Sequence, residues 1–162
     1  MKLIIVRHGE AGPSADDFNR VLTPRGRDDI AMMSALIRST GWTIGRIACS
    51  PLVRARQTAD VLAERLNHSA GTEVSHSIAP GFQPDGAAAE LDAGGGSEAH
   101  IWCFHAPDVA RMASYLTGLS DGGFYFTPGT MLALNLPSAA PDGRSLIVWK
   151  MQPEFMRDLN SV

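Results

Sequence analysis

The chain opens MKLIIVRHGEAGP (residues 1–13), and the run from Leu3 to Val6 ends on Arg7, His8 and Gly9. Four apolar residues in succession, without a polar alternation, fit a strand covered on both faces, as in a parallel sheet flanked by helices. Such a strand has two ways to end on an arginine and a histidine. Either it is leaving the core and its last side chains meet water, or its tip delivers them to a site. The segments that follow decide between these.

At 162 residues the sequence fits one domain over residues 1–162, large enough to bury a core without staples. Hydrophobic residues make up 44% and charged residues 19%, close to the globular norm, which argues against disorder. No apolar run approaches the ~18 residues of a membrane span. Arg7 and His8 interrupt the N-terminal apolar run before it could serve as a secretory signal. Cys49 and Cys103 each end an apolar stretch, a pattern of buried thiols rather than of a disulfide framework or zinc site. These features together predict a cytoplasmic protein that does not enter a membrane.

The net charge of −3 is unevenly spread. Through Leu66 there are ten Lys/Arg against seven Asp/Glu; from Asn67 onward there are four against ten. A chain-wide basic surface for nucleic acid is thereby disfavoured, while a local cationic site for a small anion in the first half is not.

The sequence alternates strand and helix patterns. Strands are expected at Leu3–Val6, Arg46–Cys49, Glu73–Ile78, Ile101–Phe104, Met131–Leu136 and Leu146–Trp149. Helices are expected at Pro24–Ser39, Leu52–Leu66, Pro107–Leu119 and, more weakly, Gly86–Ala93, with a break at Gly94–Gly96. This order predicts an α/β fold of three layers, α/β/α, with a mostly parallel central sheet. In LTPRG, Thr23 is expected to cap a helix with Pro24 at its first position, and Ser50-Pro51 in CSPLVRARQTA reads the same way. Helix starts of this kind lie at the carboxyl edge of a parallel sheet, where open α/β sheets bind ligands and exposed N–H groups favour anions.

His8 and His105 both follow hydrophobic runs, LIIVR and IWCF, so a parallel sheet would bring both to that edge. His100 lies five positions before His105, which turns the two to opposite faces of a strand and argues against a shared metal. His68 and His76 stand in polar, turn-like surroundings. Arg7 adjoins His8, Arg54 falls in the first turn of the second helix, and Arg20 precedes the first. Guanidinium forks match phosphate oxygens bidentately and keep their charge, so this set suits a phosphoryl group.

VRHGEA, LTPRGRDDI, SPLVRARQTAD and FHAPDVARMASYL, in that order, resemble the histidine phosphatase superfamily. The short chain, RVLTPRG and the His-x-Pro second histidine are similar to the SixA-type phosphohistidine phosphatases within it. The resemblance implies a phosphoglycerate mutase-like fold, minimal and without a lid subdomain. It implies His8 as nucleophile, Arg7 and Arg54 as phosphate clamps and His105 as the second histidine of the pocket. Arg20 matches a further phosphoryl-binding arginine, and Gly9 would let backbone approach the ring or the phosphate. Arg25, Arg27, Arg56 and Thr58 match family positions without being obvious contacts, and Arg25 and Arg27 fit the solvent side of a helix. Asn19, Val21 and Ala106 depart from the commoner choices around the motifs.

The implied chemistry is two-step transfer through phospho-His8 with no metal and no cofactor. Relatives that cleave phosphate esters use a carboxylic acid after the third strand to protonate the departing alkoxide. In SIAPGFQPDG that place holds Gly81. Asp85 and Glu90 lie at the wrong offset, and Glu10 is a more distant candidate. A protonated imidazole departs as a neutral ring, so a site without the acid favours a P–N bond. The expected substrate is a phosphorylated protein, such as a histidine-containing phosphotransfer domain, met by a monomer with an open site. Two alternatives stay open: a phosphatase for small phosphorylated substrates, esters or phosphoanhydrides, and a phosphate-binding module without turnover.

Overall fold

Leu3, Ile4, Ile5 and Val6 are all fully buried, and alternate residues serve different cores. Leu3 and Ile5 join a cluster with Ala87, Leu91, Val109, Met112 and Leu116. Ile4 and Val6 join another with Ile30, Met33, Ile37, Ala55, Ala59 and Leu62. The continuous apolar run is thus the signature of a strand packed on both faces, each such side chain contributing about 1.5–3 kcal/mol of burial. The computed structural model describes residues 1–92, 99–137 and 144–161.

The order is β1 (Lys2–Arg7), α1 (Pro24–Ser39), β2 (Ile44–Cys49), α2 (Val53–Arg65), β3 (Glu73–Val74) and α3 (Pro84–Asp92). There follow β4 (Ala99–Phe104), α4 (Asp108–Thr117), β5 (Met131–Asn135), β6 (Leu146–Met151) and α5 (Pro153–Asn160). The six-stranded sheet has the order β3-β2-β4-β1-β5-β6. The first four of these run parallel, while β5 is antiparallel to β1 and β6 to β5. Residues of α1 and α2 pack on one face and those of α3 and α4 on the other, which makes the three layers. Among the described residues no inserted lid subdomain is present.

The antiparallel pair has a local cause. After α4 the chain returns to the carboxyl edge before β5 begins: Arg7 N–H donates to Thr130 O (3.0 Å) and Arg7 Nη1 to Phe126 O (2.6 Å). A strand entered from that edge can pair with β1 only in the opposite sense.

The first helix start is as expected, with Thr23 Oγ1 accepting from Gly26 N–H at 2.9 Å and Pro24 at the first position. The second is not. Ser50 N–H continues the ladder by donating to Cys103 O (3.0 Å), so the chain needs Pro51 and Leu52 to turn, and α2 begins at Val53 with no side-chain cap. The third strand is also shorter than expected, since Ser75 Oγ caps a 3₁₀ turn at His76–Ile78. Helix α3 starts two residues early, at Pro84, and α5 was not foreseen. The break at Gly94–Gly96 lies outside the described residues. Cys49 and Cys103 are buried free thiols, with Cys49 Sγ–H donating to Glu73 O at 3.4 Å. Among the described residues no helix is long and apolar enough to cross a membrane.

Candidate active site

Parallel register carries the two histidines to one place. Arg7 on β1 is aligned with Phe104 on β4, and His8 N–H donates to Phe104 O at 2.8 Å. His8 and His105 are therefore the next residues of adjacent strands at the carboxyl edge. His100 is aligned with Leu3, well back along the sheet.

The His8 ring is held at both nitrogens. Its Nδ1 lies 2.7 Å from Gly9 O, an acceptor, so Nδ1 carries the proton. Its Nε2 accepts from Arg54 Nε at 3.0 Å and keeps its lone pair. Burial pushes the His8 pKa down to about 3; the Gly9 carbonyl opposes this, while the charges of Arg54 and Arg7 and the His105 ring add to it. The imidazole is neutral at any physiological pH, as a nitrogen nucleophile must be.

Gly9 has two further tasks. A Cβ there would lie 2.8 Å from Gly26 O of α1, so the close approach is to the helix as well as to the ring. Its N–H donates to Thr58 Oγ1 at 3.1 Å and is already engaged. Thr58, whose Oγ1–H in turn donates to Arg54 O (2.8 Å), thus ties the loop after His8 to α2. Sequence matching gave it no role, because a threonine one turn inside a helix looks like any core residue.

The arginines converge. Burial lowers the Arg7 pKa; Tyr125 raises it, and the neighbouring Arg20 and Arg54 lower it further. Buried Arg54 donates from Nη1 to Asp17 O (2.5 Å) and from Nη2 to Asp17 Oδ2 (3.0 Å). Arg20 reaches Asp17 Oδ1 with Nη1 at 3.3 Å, while its other nitrogens hold the loop carbonyls of Gly12 (2.9 Å) and Ala11 (3.1 Å). Asp17, on the 3₁₀ turn Asp17–Asn19, is thus an internal anion on the two guanidiniums. Its own pKa is lowered, first by Arg54 and then by Arg20. Arg25, Arg27 and Arg56 are exposed.

His105 differs from His8. Its Nε2 lies 2.8 Å from Asp108 Oδ2, which also accepts from Gly81 N–H at 3.0 Å. Gly81 has φ +79°, a left-handed conformation suited to glycine. The position where an acid was sought therefore supplies a backbone donor to another carboxylate. Glu10 takes a hydrogen bond from Thr23 Oγ1 (2.8 Å), Glu90 binds Ser75 and Arg46, and Asp85 is exposed and folds back on Gly86 N–H.

Among the described residues, three of the buried polar atoms without a hydrogen-bond partner, Arg7 Nε, Ser50 Oγ and His105 Nδ1, stand at the carboxyl ends of β1, β2 and β4. Buried polar groups are ordinarily satisfied, and a cluster of exceptions at a sheet edge with converging arginines fits an oxyanion site.

Residues 3–77 match the sequence profile of the histidine phosphatase superfamily, branch 1. Over that stretch, just under half of its length, the chain is similar to that superfamily. The phosphohistidine phosphatase SixA of Escherichia coli (strain K12) is 33% identical over 81 residues, 49% of this chain and 50% of that protein. The chain thus spans about half the length of this curated relative in the matched stretch. A structure of the protein histidine phosphatase SixA complexed with tungstate superposes with a TM-score of 0.85 at 26% identity, covering 96% of this chain and 99% of that one. A phosphoserine phosphatase of Entamoeba histolytica shares the fold, with a TM-score of 0.71 at 14% identity over 94% of this chain and 98% of that one. Within the superfamily the likeness is thus to the SixA type, over a three-layer α/β fold.

Proposed function

We propose that the protein is a metal-independent phosphohistidine phosphatase that acts on phosphorylated proteins through a phospho-His8 intermediate. The observation that carries this reading is the held His8 ring, with Nδ1–H on the Gly9 carbonyl and the Nε2 lone pair facing the clamp arginine. Arg54 Nε covers that lone pair in the structure. A phosphoryl group drawing the guanidinium onto its oxygens would uncover it. His8 Nε2 then attacks phosphorus; the N–P bond forms as the substrate's P–N bond breaks, and its electron pair returns to the departing ring. A ring protonated beforehand leaves neutral and needs no enzyme acid, which suits a site whose expected acid position is Gly81. Arg7, Arg54, Arg20 and His105 stabilise the equatorial oxygens, the main source of phosphoryl-transfer catalysis. Water hydrolyses phospho-His8 to release phosphate.

The relatives support the reading: one is a phosphohistidine phosphatase by name and another a protein histidine phosphatase holding tungstate. The test is to incubate the protein with a phosphorylated histidine-containing phosphotransfer domain and follow the label. Wild type should remove it and His8→Ala should not; equal persistence with both overturns the proposal. One observation favours a second reading, a phosphatase of small esters: the buried Asp108 carboxylate beside Gly81. Turnover of a metabolite panel that exceeds turnover of the phosphoprotein would select it. Label bound tightly with no acid-labile phosphate on His8 would mark a binding module instead.

A further inference from the structure

Asp108 has no part in the mechanism just described, yet it is only 4% exposed and fully engaged. Oδ2 accepts from His105 Nε2 and Gly81 N–H, and Oδ1 from Arg111 Nη1 at 3.1 Å. A carboxylate can only accept, so the His105 proton sits on Nε2 and Nδ1 is left as a buried lone pair with no partner among the described residues. That is the wrong state for meeting a phosphoryl oxygen, since two acceptors would face each other.

The groups around the ring show how the state can change. Burial lowers the His105 pKa; the Asp108 carboxylate of α4 raises it, Arg54 of α2 lowers it, and Asp17 of the 3₁₀ turn raises it. His8, from the end of β1, is a further titratable neighbour and is neutral, and Arg111 of α4 sits on the far oxygen of Asp108. The ring is therefore biased towards neutral, against the pull of Asp108. An incoming dianion adds negative charge on the other side of the ring.

We propose that Asp108 is a positioning residue that makes oxyanion binding proton-coupled, with His105 taking one proton onto Nδ1 as the anion enters. The imidazolium then lies between the Asp108 carboxylate and the bound oxyanion and donates to both. The proton comes from hydronium or the buffer acid, whose bond to it breaks as the Nδ1 lone pair forms the N–H bond; no bond of the oxyanion changes. The inference rests on the proposed placement of the phosphoryl group among Arg7, Arg54 and His105.

Tungstate is a suitable probe because it stays a dianion near neutral pH and brings no titration of its own. Calorimetric titration of the full chain with tungstate, in buffers of different ionisation enthalpy, counts the protons taken up. Above the ordinary histidine pKa of ~6.5, wild type should take up close to one proton per tungstate. Asp108→Asn should take up almost none and lose roughly tenfold in affinity, the equivalent of about one pKa unit. Nitrogen NMR of labelled histidine rings, assigned with His105→Asn, should show His105 converting to imidazolium on binding in the wild type. This second reading decides the matter if Asp108→Asn fails to fold. Binding without proton uptake, unchanged uptake in Asp108→Asn, or a His105 ring that stays neutral overturns the proposal. Each of these can occur while phosphohistidine turnover persists, and proton-coupled binding can equally be found in a protein with no turnover. Tungstate that does not bind at all sinks both.

Discussion

His8 and His105 end neighbouring parallel strands, follow similar apolar runs and are 6% and 5% exposed. Their surroundings are nonetheless opposed. At His8 a backbone carbonyl takes the Nδ1 proton and a guanidinium faces Nε2, so the ring presents a lone pair and resists protonation down to about pH 3. At His105 a carboxylate takes the Nε2 proton and pulls against the effect of burial. The first arrangement suits the nucleophile proposed above; the second suits a ring that can accept charge. Strand register brings the two together, but the partner of the far nitrogen divides their roles. That partner is the next residue in one case and the residue three places on in the other.

The contrast can be broken most sharply by exchanging histidine for alanine at each position. His8→Ala should abolish acid-labile phosphate on the enzyme and bring turnover to background, read by trapping after brief exposure to labelled substrate. His105→Ala should keep the intermediate detectable while slowing turnover by about 10²–10³, the usual cost of losing one charge-stabilising donor. If the label survives in His8→Ala and vanishes in His105→Ala, the assignment is reversed. Arg54→Ala should cost a similar factor of about 10²–10³, and Arg54→Lys should recover little, since an ammonium cannot reproduce the fork that spans His8 Nε2 and Asp17. Full recovery by lysine would show that only charge is required there.

The acid limb of stability sharpens the same comparison. The unfolded chain protonates its histidines below ~6.5, whereas folded His8 stays neutral to about 3. The unfolded state therefore binds more protons throughout that window. Stability is whole above ~6.5 and is lost progressively as pH falls towards 3. Thermal melts of wild type and His8→Ala at several pH values should show a flatter decline in the variant. Parallel declines would mean that His8 is not the buried neutral ring described.

Much of this was legible before any coordinates, and for physical reasons. A four-residue apolar run such as Leu3–Val6 can be satisfied only by cores on both faces, and Thr23-Pro24 marks a helix start by chemistry that is local. Arg7, His8, Arg54 and His105 lie beside such junctions, so order along the chain implied nearness in space. Ser50-Pro51 misled because the ladder bond to Cys103, set by a strand 53 residues away in sequence, delays the helix. The antiparallel β5 and β6 depend on where a long loop re-enters the sheet, which periodicity does not encode. Asp108 and Asp17 were missed because each is an ordinary acidic residue until the fold closes. The His-x-x-Asp spacing at the start of α4 was the available signal for the first, and Asp-x-x-Arg before α1 for the second.

Asp17 gives the smallest effect and the most direct test of the Arg20 and Arg54 pair. Its carboxylate faces Arg54 Nη2 and Arg20 Nη1, nitrogens that an oxyanion would also use, while its backbone carbonyl holds Arg54 Nη1. The side chain is 69% exposed, so its charge is well screened and its competition with the ligand is modest. Asp17→Asn retains an acceptor oxygen and the backbone contact but removes the negative charge. Tungstate should then bind several-fold more tightly at low ionic strength, with the gain shrinking as salt is added. A loss of affinity would give Asp17 a different task, that of aiming Arg54 at the ligand. In that case Asp17→Glu, which restores the charge on a longer arm, should recover only part of the binding.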